Sequence, residues 1–176
     1  KLISRAIDFR KMDEGKLALQ KQTINITSFV RDLADDYVEL CDQKDITFSV
    51  SLPDHPVRIS VDGEKIEMCI NNLVSNAYKY TREKGHVILT LSDFPDRVMF
   101  SVKDDGIGIV PKAREEIFKS FYRTERGQAQ SKGDGIGLGF VQKLVELHGG
   151  KMSLESEVNV GSTFSFFIPK ALDKNK

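Results

Sequence analysis

Apolar residues recur along this chain with two periods, and the switches between them mark the elements. In the stretch KIEMCINNLVSNAYKYT, Lys65–Thr81, the residues Ile66, Cys69, Ile70, Leu73, Val74 and Ala77 fall at i, i+3, i+4, i+7, i+8 and i+11. That is the stripe of a helix packed on a core. Asp62 is its expected cap, and Gly85 breaks the chain after it. An earlier helix is expected to start at a Thr27 or Ser28 cap and run to about Gln43, with Phe29, Val30, Leu33, Ala34, Tyr37, Val38 and Leu40 inward. Period-two alternation predicts a first strand around Ile24 and Ile26, then Ile46–Ser51 with Val57–Val61 as its short partner. Two more strands, Val87–Leu91 and Val98–Val102, are joined by the turn Ser92–Arg97, and Met152–Ser156 and Thr163–Ile168 close the chain around Gly161. Helices are also expected from about Pro111 to Phe118 and from the glycine-rich stretch at 135–140 to Leu147. The order predicts an α+β fold: a two-layer α/β sandwich with a mixed sheet covered on one face by three helices.

Residues 1–15 read as the end of a helix, 16–22 as a linker, 23–170 as one domain and 171–176 as a frayed tail. The polar, glycine-containing stretch 119–134 is the expected mobile loop. The abrupt helical start predicts a piece of a longer protein.

Composition narrows the classes. Among 176 residues, Lys+Arg and Asp+Glu balance at 26 each, so global charge gives no reason to expect nucleic acid or an anionic membrane as partner. No apolar run approaches the roughly 20 residues of a membrane span. The two cysteines, Cys41 and Cys69, make no disulfide framework and read as buried thiols, which fits a reducing, cytosolic setting. His55 lies in a turn, His86 begins a strand, and His148 ends a helix before Gly149, where a cation or a C-cap role is natural. No Cys/His metal spacing is present.

Three stretches carry candidate chemistry. Asn72, Asn76 and Lys79 lie at i, i+4 and i+7, within roughly 60° of one another and roughly 130° from the centre of the apolar stripe. Two carboxamides and an ammonium on one line can hold phosphate oxygens and a hard cation such as Mg²⁺; a solvated helix face is the alternative. Asp104-x-Gly106-x-Gly108 follows a strand, so its carboxylate can accept a hydrogen bond from an exocyclic amine while the glycines let backbone approach closely. A plain turn is the alternative here. Gly133, Gly135, Gly137 and Gly139 alternate into a helix start, where free N–H groups and the positive dipole end attract anions. Each interior glycine costs a helix about 1 kcal/mol against alanine, so phosphate approach or tight packing must account for them. Neither run is a dinucleotide fingerprint or a Walker P-loop. Phe118-x-x-Phe121-Tyr122-Arg123 supplies aromatics for a core or hinge and an arginine able to reach phosphate.

Taken together, in order, these motifs resemble the catalytic and ATP-binding domain of bacterial sensor histidine kinases, the Bergerat-type ATP-binding fold shared with type II topoisomerase B subunits, MutL-type repair proteins and ninety-kilodalton heat-shock chaperones. Asn72-Leu-Val-Ser-Asn76-Ala-Tyr-Lys79-Tyr80-Thr81 is similar to the N box, Asp104-Asp-Gly-Ile-Gly-Ile109 to the first glycine box, Ile117 to Arg123 to the F box, and Gly133-Asp-Gly135-Ile-Gly137-Leu-Gly139 to the second glycine box. His148-Gly-Gly-Lys151 through Gly161-Ser-Thr-Phe164 is also similar to the family. The resemblance covers about residues 23–170, and it implies roles. Asn76 would bind Mg²⁺ with Asn72 near the same phosphates; Lys79 and Tyr80 would line the nucleotide site. Asp104 would recognise the adenine amine, and Gly106 and Gly108 would admit base and ribose. Gly135, Gly137 and Gly139 would hold the phosphates, Arg123 would contact the γ-phosphate, and Thr163 would add a water-bridged contact to the base. The implied nucleotide-binding set also takes in Ile109, Gly133 and Leu138.

The implied reaction is phosphoryl transfer from ATP to a histidine nitrogen upstream of this chain. Implied partners are the dimerisation and phosphoacceptor helices of the same parent and a downstream response-regulator receiver domain; nucleic acid is not among them. The parent would be a membrane-anchored homodimer, of the hybrid type on the similarity of DFRKMDEGKL, with this part in the cytoplasm. The competing classes are an ATP-hydrolysing conformational switch without a protein phosphoacceptor and a degenerate contact domain, against which the intact Asn76, Asp104 and glycine boxes argue.

Overall fold

The structure, a computed structural model, describes residues 7–8, 10–12, 14–119 and 137–171. After helical residues at 7–8 and 10–12, the elements are β1 (Gln22–Asn25), α1 (Ile26–Asp42), β2 (Thr47–Ser51), β3 (Arg58–Val61), α2 (Gly63–Tyr80), β4 (His86–Asp93), β5 (Arg97–Asp104), α3 (Gly137–Leu147), β6 (Lys151–Glu157) and β7 (Gly161–Pro169). The expected helix at 111–118 is instead two 3₁₀ turns, Pro111–Ala113 and Glu116–Phe118. Eight residues are short of the length at which a helix stabilises itself, and i→i+3 closure suffices.

Five strands form a mixed sheet in the order β2-β4-β5-β7-β6, parallel between β2 and β4 and antiparallel elsewhere. Strand pairing departs from expectation at the start of the domain. The segment expected to pair with β2 is β3, which instead pairs antiparallel with β1, Ile24 opposite Ile59. The intervening loop contains Pro53 and Pro56, and the Thr27 hydroxyl pins it by donating to His55 O (3.1 Å) and accepting from Val57 N–H (3.1 Å). Chain reversal there leads toward β1, and β2 finds its partner only after the crossover through β3 and α2, the length a parallel pair needs.

With Thr27 so engaged, the cap of α1 is Asn25, whose side chain accepts from Ser28 N–H at 3.3 Å. Helix α1 buries Ile26, Val30, Ala34, Tyr37 and Cys41. Val38, expected inward, is 41% exposed, since one residue past Tyr37 turns it about 100° off that stripe. Helix α1 packs on β2, α2 on β4 and β5, and α3 on β6 and β7, so the three helices share one face of the sheet. Between the layers Phe100 stacks on Phe166 with ring centroids 4.6 Å apart, in a core that also takes Ile66, Ile70, Leu73, Phe140 and Leu144. Cys41 and Cys69 are free and buried. Burial pushes the thiols of both up.

Candidate functional site

Helix α2 crosses the middle of the helical layer, and the site is built around it. At its start the Asp62 carboxylate accepts Lys65 N–H (3.3 Å) with one oxygen and Gln20 N–H (2.9 Å) with the other. The Asp62 N–H itself donates to His148 Nε2 (3.1 Å), and His148 Nδ1 lies 2.8 Å from Leu144 O. That arrangement requires a neutral imidazole with its proton on Nδ1. His148 is 3% exposed, and burial pushes its pKa below the ordinary histidine value, with Lys21 adding to the shift and Asp62 opposing it. His148 is therefore neither a helix-end cation nor a simple cap; it fastens the end of α3 to the beginning of α2.

The polar line of α2 is not uniformly solvated. Asn72 is 7% exposed, and its Nδ2 donates to Met68 O at 2.8 Å. Its Oδ1 lies 3.0 Å from the point where a Cβ on Gly137 would stand, so the carboxamide oxygen faces the first described turn of α3. Asn76, Lys79 and Tyr80 are partly exposed. From Asn72 to Tyr80 the helix advances about 12 Å. The line thus joins two places: the glycine start of α3 and the turn after β5.

That turn begins at Asp104, on the core-facing side of β5 and 8% exposed. Burial pushes its carboxyl up to about 6, against backbone N–H groups of Gly106 and Ser162 that pull it down; the neighbouring Asp105 charge adds to the rise. Gly106 N–H donates to Asp104 Oδ1 at 2.9 Å. The carboxylate retains accepting lone pairs, so the site offers a strong acceptor for a donor group brought to it.

The glycines of this turn lie against the protein's own backbone. A Cβ on Gly106 would overlap the Tyr80 carbonyl, and one on Gly108 the Glu157 carbonyl. Gly108 also holds φ +67°, a left-handed backbone that side chains disfavour. Ile107 N–H donates to Tyr80 O (3.3 Å), Asn159 N–H to Ile107 O (2.8 Å) and Ile109 N–H to Ser156 Oγ (2.9 Å). The missing side chains of Gly106 and Gly108 thus admit α2 and the β6–β7 turn.

Thr163 is not brought to the others. In the β5–β7 register it stands opposite Lys103, while Ser162 stands opposite Asp104, and successive side chains point to opposite faces. The buried residue beside Asp104 is Ser162, linked through its Oγ to Ser156 Oγ at 2.8 Å. Alternation carried a signal for it: Phe164, Phe166 and Ile168 face inward, which places 162 inward and 163 outward. Gly137 and Leu138 are partly exposed and Gly139 is buried in α3, with Leu138 packed against the core. Ile109 packs against the same core from the turn. Arg123, Gly133 and Gly135 lie outside the described residues. Among the described residues there is no group of three or more His, Cys, Asp or Glu that could hold a metal; the polar line of α2 offers the carboxamide oxygens of Asn72 and Asn76. Nor is any helix among them long and apolar enough to cross a membrane.

Comparison with known proteins matches residues 61–172 to the histidine kinase-, DNA gyrase B- and HSP90-like ATPase family. Sensor histidine kinase WalK of Bacillus subtilis is 30% identical over 172 residues, covering 96% of this chain and 28% of WalK. Sensor histidine kinase TmoS of Ectopseudomonas mendocina is 33% identical over 171 residues, covering 96% of this chain and 18% of TmoS. The chain therefore spans well under a third of either relative. Among solved structures, full-length ShkA in complex with AMPPNP superposes with TM-score 0.83 at 30% identity, over 97% of this chain and 35% of that one. The nucleotide-free catalytic domain of histidine kinase ThkA gives TM-score 0.76 at 29% identity, over 86% of this chain and 99% of that one. Histidine kinase ThkA in complex with response regulator TrrA gives TM-score 0.76 at 26% identity, over 99% of this chain and 49% of that one.

Proposed function

Because the chain belongs to the histidine kinase-, DNA gyrase B- and HSP90-like ATPase family, we propose that it is the ATP-binding catalytic domain of a sensor histidine kinase, transferring the γ-phosphoryl group of ATP to a histidine upstream of this sequence. The observation that carries the reading is the polar line of α2, which runs from the glycine start of α3 to the buried carboxylate of Asp104. In this reading adenine enters beside Asp104, whose ionised carboxylate accepts the N6 amine, with Ser162 next to it in place of Thr163. Lys79 and Tyr80 flank the nucleotide. The phosphates reach Asn72, Asn76 and the amides around Gly137 and Gly139, where a helix start favours anions; Arg123, Gly133 and Gly135 act there too. The carboxamide oxygen of Asn76 suits a hard cation that keeps waters and shares phosphate oxygens. Mg²⁺ held there would neutralise developing charge on the phosphates. The residues supply positioning: a loose phosphoryl transfer needs little covalent help from the protein. The imidazole nitrogen of the acceptor forms the new P–N bond as the bond to the leaving ADP oxygen breaks.

The dimerisation and phosphoacceptor helices of the parent and a receiver domain are the partners of this reading. Residues 1–15 are then the end of that hairpin, 16–22 the linker and 23–170 the catalytic domain, lying in the cytoplasm of a membrane-anchored homodimer.

The test mixes this chain with Mg²⁺, γ-labelled ATP and a longer form of the parent whose own site carries Asp104→Asn but whose histidine is intact. Acid-labile label on the longer form is expected. ATP binding with free phosphate and no labelled protein would replace this reading with the ATP-driven switch. In parallel, Asn76→Ala is expected to abolish the Mg²⁺ dependence of ATP binding, and an unchanged dependence would remove its ligand role.

A further inference from the structure

Helix α2 ends where the Asp104 turn docks, and its last carbonyls need donors, because a helix leaves its final C=O groups without intrahelical partners. The Ala77 carbonyl accepts Thr81 N–H at 2.9 Å. The Tyr80 carbonyl accepts Ile107 N–H at 3.3 Å from the glycine turn. The remaining ones are taken by a single side chain: Lys44 Nζ, from the turn after α1, lies 2.9 Å from Tyr78 O, 3.4 Å from Lys79 O and 2.7 Å from Thr81 O. It also stands 5.3 Å from the centroid of the Tyr78 ring. An ammonium has three donors, here matched by three carbonyls, and a cation is favoured at the negative end of a helix dipole.

The backbone that presents Lys44 is itself fastened. Lys44 N–H donates to Cys41 O (3.0 Å), Lys84 N–H to Asp45 O (2.7 Å) and Thr47 N–H to Gly85 O (2.9 Å). The turns that follow α1 and α2 are thereby sewn together. Lys44 belongs to none of the sequence motifs of the site; it lies 28 residues before Asn72, the first of them.

We propose that Lys44 is a positioning residue for nucleotide binding: by holding the Tyr78–Thr81 end of α2 it keeps the Tyr80 carbonyl in place for Ile107 N–H, and so sets the Asp104–Gly106 turn against the helix that bears Asn76 and Lys79. The proposal rests on the nucleotide reading given above. Lys44 does not touch the nucleotide in it; the effect passes through the Tyr80–Ile107 bond.

Two measurements on Lys44→Met (K44M) and Lys44→Arg (K44R) test it: amide hydrogen exchange by NMR and titration with ATP. In K44M, exchange at Gly106 and Ile107 is expected to rise about tenfold more than at Phe100 in the core, and the Kd for ATP to rise about tenfold. K44R, which keeps donors for the carbonyls, is expected to restore most of both. A residue that only stabilised the fold would raise exchange at Phe100 and Ile107 alike. Equal changes at the two places, no change at Ile107, or an ATP Kd within about twofold of the unsubstituted chain would each overturn the proposal. If K44M does not fold, Lys44→Gln takes its place in both measurements. Should the unsubstituted chain itself fail to bind ATP, the nucleotide reading falls, while a local exchange change at Ile107 would still establish the clamp.

Discussion

The two ends of α2 are both fastened to distant parts of the chain, by opposite chemistry. At the start, a buried neutral imidazole accepts the Asp62 N–H, and Asp62 in turn accepts from Lys65 and from Gln20 of the preceding segment. At the finish, the Lys44 ammonium donates to three carbonyls, and the glycine turn takes the fourth. Each end therefore sits beside a group whose ionisation is disturbed by burial, His148 at the start and Asp104 beyond the finish. Their signs are opposite. His148 has a lowered folded pKa, so its stabilising contribution is present above the ordinary histidine value of 6.5 and is lost as pH falls below it. Asp104 has a folded pKa raised from 3.8 to about 6, so the native state holds the proton more tightly, and stability from this group is lost as pH rises through that window. Mild acid should loosen the start of the helix while relieving the cost at its finish.

The sharpest way to break this contrast is Gly108→Ala. The new Cβ would meet the Glu157 carbonyl in a left-handed backbone, and the expected loss is about 3 kcal/mol or more, read by urea denaturation. A near-neutral result would mean that the turn beyond the finish of α2 does not depend on its close backbone contact with the β6–β7 turn.

Asp104→Asn separates function from stability at that same end. A raise of about two pKa units corresponds to about 3 kcal/mol, so the nucleotide-free variant is expected to gain up to that amount at pH 7.5 and to lose the fall in stability between pH 4 and 6. Asn still accepts the Gly106 N–H, but it no longer offers a charged acceptor, and ATP affinity should drop about a hundredfold. Unchanged affinity in a titration would remove Asp104 from base recognition.

His148→Gln probes the other end. It should cost about 1–2 kcal/mol at pH 7.5 and less as pH falls below 6.5, where the unfolded chain takes up a proton that the buried imidazole resists. Parallel stability curves for variant and parent between pH 5 and 7.5 would show that the imidazole proton is not what loosens this end. The smallest effects expected are at the β7 pair: Ser162→Ala should weaken ATP binding a few-fold, as a lost single hydrogen bond does, and Thr163→Ala should leave it unaltered. The reverse ranking would return the base contact to Thr163.

The helix at α2 was legible because its evidence is local: Asp62 caps it and the apolar stripe from Ile66 to Ala77 is the one that is buried. The strands were legible for the same reason, with boundaries short by a few residues at β4 and β5. At α1 a local rule misled, since Thr27 looked like a cap but its hydroxyl is spent on the loop at His55 and Val57. Asn72 looked like one member of a solvated or ligand-facing line, and only the approach of α3 explains its burial.

What the chain by itself determined, then, is the set and order of elements, the polar line of α2, and the motif residues Asp104, Gly106 and Gly108, because periodicity and turn chemistry act over a few residues. Tertiary structure decided the partners. It paired β3 with β1 and ran β2 parallel to β4, put Ser162 rather than Thr163 beside Asp104, filled the space beside two glycines with backbone, and recruited Lys44 and His148 to the ends of α2. The Lys44 contact to Tyr78 spans 34 residues and the His148 contact to Asp62 spans 86. No local pattern encodes contacts of that reach, since they exist only once the layers have packed and each buried polar group has had to find a partner.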